Sequence, residues 1–145
     1  MRAYEEKEIL DMKPEQLTSL LYKAFLEKLT EAIKFLDEKN YIAVNYLLQD
    51  CNEILYRLGA GINYKAGLIA DHLEALYNFS AEQLTTANFR KDKNMMIDVK
   101  EIISNISEGW DKAVYSNAKE HNIHKNLNSY ESHLYYDTGN LDIME

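Results

Sequence analysis

Histidine is the side chain through which a helical protein most readily does metal chemistry, and this chain has four, His72, His121, His124 and His133. The di-metal carboxylate sites of helical bundles need Glu-x-x-His pairs, which set two ligands one turn apart and facing inward. Every histidine here lacks a Glu three residues before it. His121 and His124 stand one turn apart with His133 further on, a spacing that suits a divalent cation. No cysteine lies near them, and they read as solvated side chains. The pair Gly59-x-Gly61 resembles the start of a dinucleotide loop, but it follows a helical pattern rather than a strand and lacks the third glycine, so it reads as a turn. Triad members come from distant positions and leave no spacing to find, and no Ser is framed by the glycines of a nucleophile elbow. The expectation is a protein that is not an enzyme and carries no metal or cofactor. What is unusual is tyrosine, eleven residues, with Tyr22, Tyr46, Tyr56 and Tyr77 inside helical patterns. Tyrosine brings a large contact area and a polar tip, which favours interfaces, and the alternative is a place along the edge of a bundle.

Helices must position these residues. One Pro and five Gly in 145 residues are too few for the turns of an all-β fold, while 46% apolar residues are too many for a disordered chain. No apolar run approaches the ~18 residues of a membrane span, and Met1 to Met12 carry charges where a secretory signal needs an apolar centre. A net charge of -8 is repelled by phosphate backbones and anionic headgroups, so neither nucleic acid nor membrane insertion is expected. Cys51 has no partner for an internal disulfide, sits on an apolar stripe as a small core residue, and fits a cytoplasmic location.

Periodicity predicts four helices. The first runs from Pro14, a good first helical residue, to about Glu38 through Leu17, Leu20, Leu21, Ala24, Phe25, Leu29, Ala32, Ile33 and Leu36. With Leu26 and Phe35 its apolar arc exceeds half the circumference, so it is either central or has a face awaiting a partner. The second, capped by Asn40, runs from Tyr41 to about Leu58 on Val44, Leu47, Leu48, Cys51, Ile54, Leu55 and Leu58. The third passes through Ile69, Leu73, Leu76, Tyr77, Leu84 and Ala87 to end near Phe89. The fourth starts at an Asp92 cap, uses Met96, Val99, Ile103, Ile106, Trp110 and Ala113, broadened by Met95 and Ile102, and fades after Val114. Short loops between such stripes describe an all-α antiparallel four-helix bundle. Residues 115–145, rich in Asn, read as a flexible or weakly helical C-terminal tail; Ile123, Leu127, Tyr130 and Leu134 space a marginal fifth helix that needs an apolar surface to form.

Several segments are also familiar by pattern. Tyr4 lies in a short N-terminal segment, followed by Pro14-Glu15-Gln16-Leu17 and Leu21-Tyr22 in the first helix. Further on come Gly67-Leu68-Ile69-Ala70, Leu73-Glu74-Ala75-Leu76-Tyr77, Leu84, Ala87-Asn88 and Asp92, with Trp110 in the last helix. In order and spacing over about residues 4–114 the chain resembles the FliS family of flagellar secretion chaperones. It departs at Lys13, where Ser or Thr often precedes the Pro, and in a tail longer than the family's.

The resemblance implies a cytoplasmic chaperone that binds the disordered C-terminal region of flagellin, prevents premature polymerisation and keeps it competent for export, with the export apparatus or a regulator as further partners. It divides the chain into residues 1–13, a segment that covers the binding groove, 14–114, the chaperone bundle, and 115–145, the polar tail. The expected client surface joins Leu17, Leu21 and Tyr22 of the first helix to Leu73, Tyr77, Leu84 and Asn88 of the third, with Tyr4, Ile9 and Leu10 lying over part of it when no client is bound. The four leucines fit the bundle core as well as a groove. The tail stripe gives the tail a second role, as a tethered competitor for the groove. The expected state is a monomer or weak homodimer. A helical adaptor or scaffold unrelated to flagella, binding a partner amphipathic helix by the same groove physics, is the alternative, and a metal-binding bundle stands behind both.

Overall fold

The computed structural model describes residues 12–138, with side chains through residue 116. Four α-helices carry the fold: α1 (Pro14–Asp37), α2 (Tyr41–Ala60), α3 (Leu68–Arg90) and α4 (Lys93–Thr138), with one 3-10 turn, Tyr64–Ala66, between α2 and α3. Described residues include no strand. The chain divides by its contacts into Met1–Gly109 and Trp110–Glu145. In the first unit α1 packs along α2 and α2 along α3, an antiparallel arrangement enforced by short connections.

The core follows the helical period. Tyr22, Phe25, Leu29 and Ala32 enter from α1, Val44, Leu48, Cys51, Ile54, Leu55 and Leu58 from α2, Ala70, Tyr77, Leu84 and Ala87 from α3, and Met96, Val99 and Ile103 from the first turns of α4. Spacings of three and four residues put each set on one face, and burial of those faces holds short helices that would fray alone. Cys51 lies against the Phe25 carbonyl, and burial pushes its thiol up to about 12, so it is an inert core residue. Ion pairs bind the outer rims, Lys28 to Asp50 between α1 and α2 and Lys93 to Asp37 between α4 and α1.

The ends of the helices are set by local chemistry. Asn40 Oδ1 accepts from the Ala43 amide and Asp92 Oδ1 from the Met95 amide, each satisfying a donor that the first helical turn leaves free. At α1 only half of a capping box is present: the Gln16 side chain accepts from the Lys13 amide, and the lysine ammonium has no lone pair to return. The end of α1 is a Schellman turn, with the Asn40 amide on the Phe35 carbonyl and the Lys39 amide on Leu36, which holds Lys39 left-handed at φ 59.

Three expectations need correction. α2 continues through Gly59 and Ala60 before the turn begins. The apolar run of α3 is not one core stripe, because Ile69 and Leu76 stand outside it. The fourth helix does not fade after Val114: the backbone stays helical to Thr138, since no Gly or Pro interrupts the sequence between Gly109 and Gly139. Ile123, Leu127, Tyr130 and Leu134 fall on this helical backbone, and their side chains lie outside the described ones.

Candidate functional site

α1 and α3 run the same way, and they are joined deep in the bundle by Tyr22 and Tyr77, whose hydroxyls are hydrogen-bonded to each other. Both rings are buried. Burial first, and then the neighbouring phenol, raises the Tyr22 pKa; burial likewise raises that of Tyr77, against the hydrogen bond from Tyr22, so both stay neutral at any ordinary pH. The pair therefore fixes the height of α3 against α1. The bond gives the Tyr77 tip the partner that a hydroxyl buried in an apolar core needs.

With α3 held this way, its surface can be read by angle. At about 100° per residue, Ala70, Tyr77, Ser80, Leu84 and Ala87 fill an arc of about 100° that faces the core, and Leu73, half-buried, falls within it. The adjoining arc of similar width holds Leu68, Ile69, Leu76 and Phe79, which remain 69%, 67%, 36% and 47% exposed. From Leu68 to Phe79 this apolar flank extends about 16 Å along the axis. Gly67 starts it: φ 68 with ψ -124 is a backbone conformation open to glycine alone, and it lets the chain leave the 3-10 turn directly into α3.

The other side of α3 meets α2 in a polar seam. Asn88 Nδ2 donates to Asn45 Oδ1 at 2.8 Å, Gln49 Nε2 donates to the same oxygen at 3.2 Å, and Asn52 Nδ2 donates to Thr85 Oγ1 at 3.2 Å. Lys91 donates to Asn88 Oδ1 at 2.6 Å and stands 5.8 Å above the Tyr41 ring. Below this seam a groove of about 460 Å³ opens between the last turns of α2 and the first half of α3, with Tyr56 and Tyr64 at its exposed rim and Glu74 and Asn78 on its α3 wall. Desolvation, then Glu74, then Asp71 raise the Tyr64 phenol pKa. The Asn52 Oδ1 and Ser80 Oγ atoms are buried with no partner among the described residues.

Of the residues expected at the client surface, the structure brings Tyr22 and Tyr77 into contact, but in the core and not on an outer face. Leu84 is fully buried. Leu17 is 36% exposed, Leu21 and Leu73 are half-buried, and Asn88 is tied into the α2–α3 seam. Tyr4, Ile9 and Leu10 lie outside the described residues. Leu68, Ile69, Leu76 and Phe79, none of them among the residues expected at the client surface, form the outward flank of α3. Their signal was present in the width of the apolar arc, which exceeds what one buried face needs. Among the described residues no group of three His, Cys, Asp or Glu is placed to hold a metal ion, and the side chains of His121, His124 and His133 are not among them. No described helix is long and apolar enough to cross a membrane.

Comparison with known proteins gives the same family over nearly the same span as the motifs. The family described as flagellar protein FliS matches residues 1–117, leaving the end of α4 outside the matched region. A flagellar secretion chaperone FliS from Salmonella typhimurium is 31% identical over 107 residues, 72% of this chain and 79% of that protein. One from Vibrio cholerae is 29% identical over 100 residues, 68% of this chain and 74% of its own length. The flagellar secretion chaperone FliSB of Pseudomonas aeruginosa is 24% identical over 107 residues, 73% of this chain and 85% of that protein. Matched along its bundle by the family as a whole and by relatives over most of their length, the chain belongs to the flagellar protein FliS family.

Proposed function

We propose that this chain is a flagellar export chaperone that holds the C-terminal region of flagellin in the cytoplasm and keeps it from assembling before export. The observation that carries this reading is the flank of α3, where Leu68, Ile69, Leu76 and Phe79 stay in water on a helix whose other face is tightly packed. An amphipathic client helix laid along that flank would hide its own apolar stripe and the chaperone's together. The Salmonella and Vibrio relatives, named as flagellar secretion chaperones, support the same role. It is a binding function that needs no chemical step. The client orders as it binds, so part of the contact energy is lost to entropy and release at the export machinery stays accessible. In this reading the N-terminal segment with Tyr4, Ile9 and Leu10 covers part of the surface until the client displaces it.

The test is a calorimetric titration of the chain with the C-terminal segment of flagellin from the same bacterium, followed by circular dichroism of the mixture. Saturable binding at one client per chain, with more helix than the two components contribute separately, is the expected result. A folded bundle that gives neither heat nor added helix would refute the proposal and favour a helical adaptor with a different partner.

A further inference from the structure

On the opposite side of α3 from the apolar flank, the α2–α3 groove has the chemistry of a different ligand, and we infer that it is a receptor for an arginine side chain carried by a partner segment. The inference is independent of whether flagellin is the client. Among the described residues Glu74 is the only charged one lining the groove, and no Lys or Arg lines it. Asn52 already donates its amide nitrogen to Thr85, which leaves its buried Oδ1 an acceptor without a partner among the described residues. Gly59 and Ala60 bring in the last turn of α2, the negative end of that helix. Tyr56 and Tyr64 offer ring faces at the rim, and Asp71 acts on the Tyr64 hydroxyl from one turn before Glu74.

Glu74, the Asn52 oxygen and the end of α2 favour a positively charged donor over an anion, while Leu55, Ala60 and Ala81 in the lining suit the methylene stem of such a side chain. A metal ion is poorly served, because one carboxylate and one amide oxygen are too few ligands. Among organic cations, guanidinium fits best. Its planar fork can serve the Glu74 carboxylate and a second acceptor at once while lying against a phenol ring, whereas an ammonium is a compact, strongly hydrated point charge. The volume of about 460 Å³ accommodates such a side chain with its flanking backbone.

The test titrates the full chain with N-acetyl-arginine amide and follows amide and tyrosine ring signals by NMR. Saturable shifts at Tyr56, Tyr64 and Asn78 with a Kd on the order of 1 mM are expected, with the lysine analogue at least about threefold weaker. Glu74→Gln should weaken binding about fivefold or more, while Glu82→Gln, on the same helix outside the groove, leaves it unchanged. Gly59→Leu should abolish binding without loss of fold, since a Cβ there meets no atom within 4 Å and leucine is the better helix former. Three results would each overturn the inference: no saturation by about 50 mM, equal binding of the neutral citrulline analogue, or a Glu74→Gln chain that binds like Glu82→Gln.

Discussion

Replacing Tyr22 with Phe removes one oxygen from the centre of the bundle and leaves the shape of the core intact. The Tyr77 hydroxyl, buried on a ring only 4% exposed, then loses the partner it bonds to. A buried polar group stranded in this way costs about 1–3 kcal/mol, more than the net worth of the hydrogen bond itself. Tyr77→Phe takes one bond from the Tyr22 hydroxyl and tests the same contact from the other side. In the double variant the Tyr77 oxygen is gone with its partner instead of being left behind, so it should be more stable than the two single losses added together by about 1–2 kcal/mol. Urea unfolding of the four proteins, with equal slopes, measures this coupling directly. Single losses that add to within about 0.5 kcal/mol would refute the pin between α1 and α3. The same variants separate core from interface: where they remain folded, their client affinity should stay within about twofold of the parent. A tenfold loss of affinity in a folded single variant would return these tyrosines to the binding surface.

The pair also gives an alkaline signature. Both phenols are raised above their ordinary value of 10.0 in the folded chain, so their contribution is complete below about pH 10 and is lost as pH climbs above it. Between pH 10 and 11.5 the parent should lose stability more steeply than Tyr22→Phe/Tyr77→Phe, by about 1 kcal/mol or more per pH unit in urea midpoints converted to free energy. Lys39→Gly should raise stability by about 0.5–1 kcal/mol, because the left-handed position at φ 59 that closes α1 costs a lysine what it does not cost a glycine. Gly67→Ala should lower stability by about 1–3 kcal/mol in the same assay, although an added Cβ meets no atom within 4 Å, because the strain is in the backbone.

Much of this architecture was legible in the sequence because each signal was local. Pro14, Asn40 and Asp92 mark helix starts through bonds that span three residues or fewer, and the stripe from Val44 to Leu58 belongs to a helix with one apolar face. α3 was harder. Its apolar residues fill two adjoining arcs, and periodicity reports that they recur without saying which arc meets the core, so Ile69 and Leu76 were grouped with Tyr77 and Leu84. The amphipathic behaviour of tyrosine suits an interface or a bundle edge equally, and the partner that lets Tyr22 and Tyr77 enter the core lies 55 positions away and leaves no local trace. The left-handed Lys39 and Lys91 were equally silent, since lysine carries no signal for that conformation. The continuation of α4 past Val114 depends on the absence of breakers, which is weaker evidence than a stripe or a cap.

The claim that most needs measurement is that the exposed flank of α3 receives the client. Phe79 is 47% exposed, which leaves about 90 Å² of apolar ring for a partner to cover, worth about 2 kcal/mol at 25 cal/mol per Å². Calorimetric titration of the parent and of Phe79→Ala with the flagellin C-terminal segment should therefore show about 30-fold weaker binding for the variant, with unfolding free energies within about 0.5 kcal/mol of each other. Equal affinities for the two proteins would contradict the account and place the client elsewhere on the bundle.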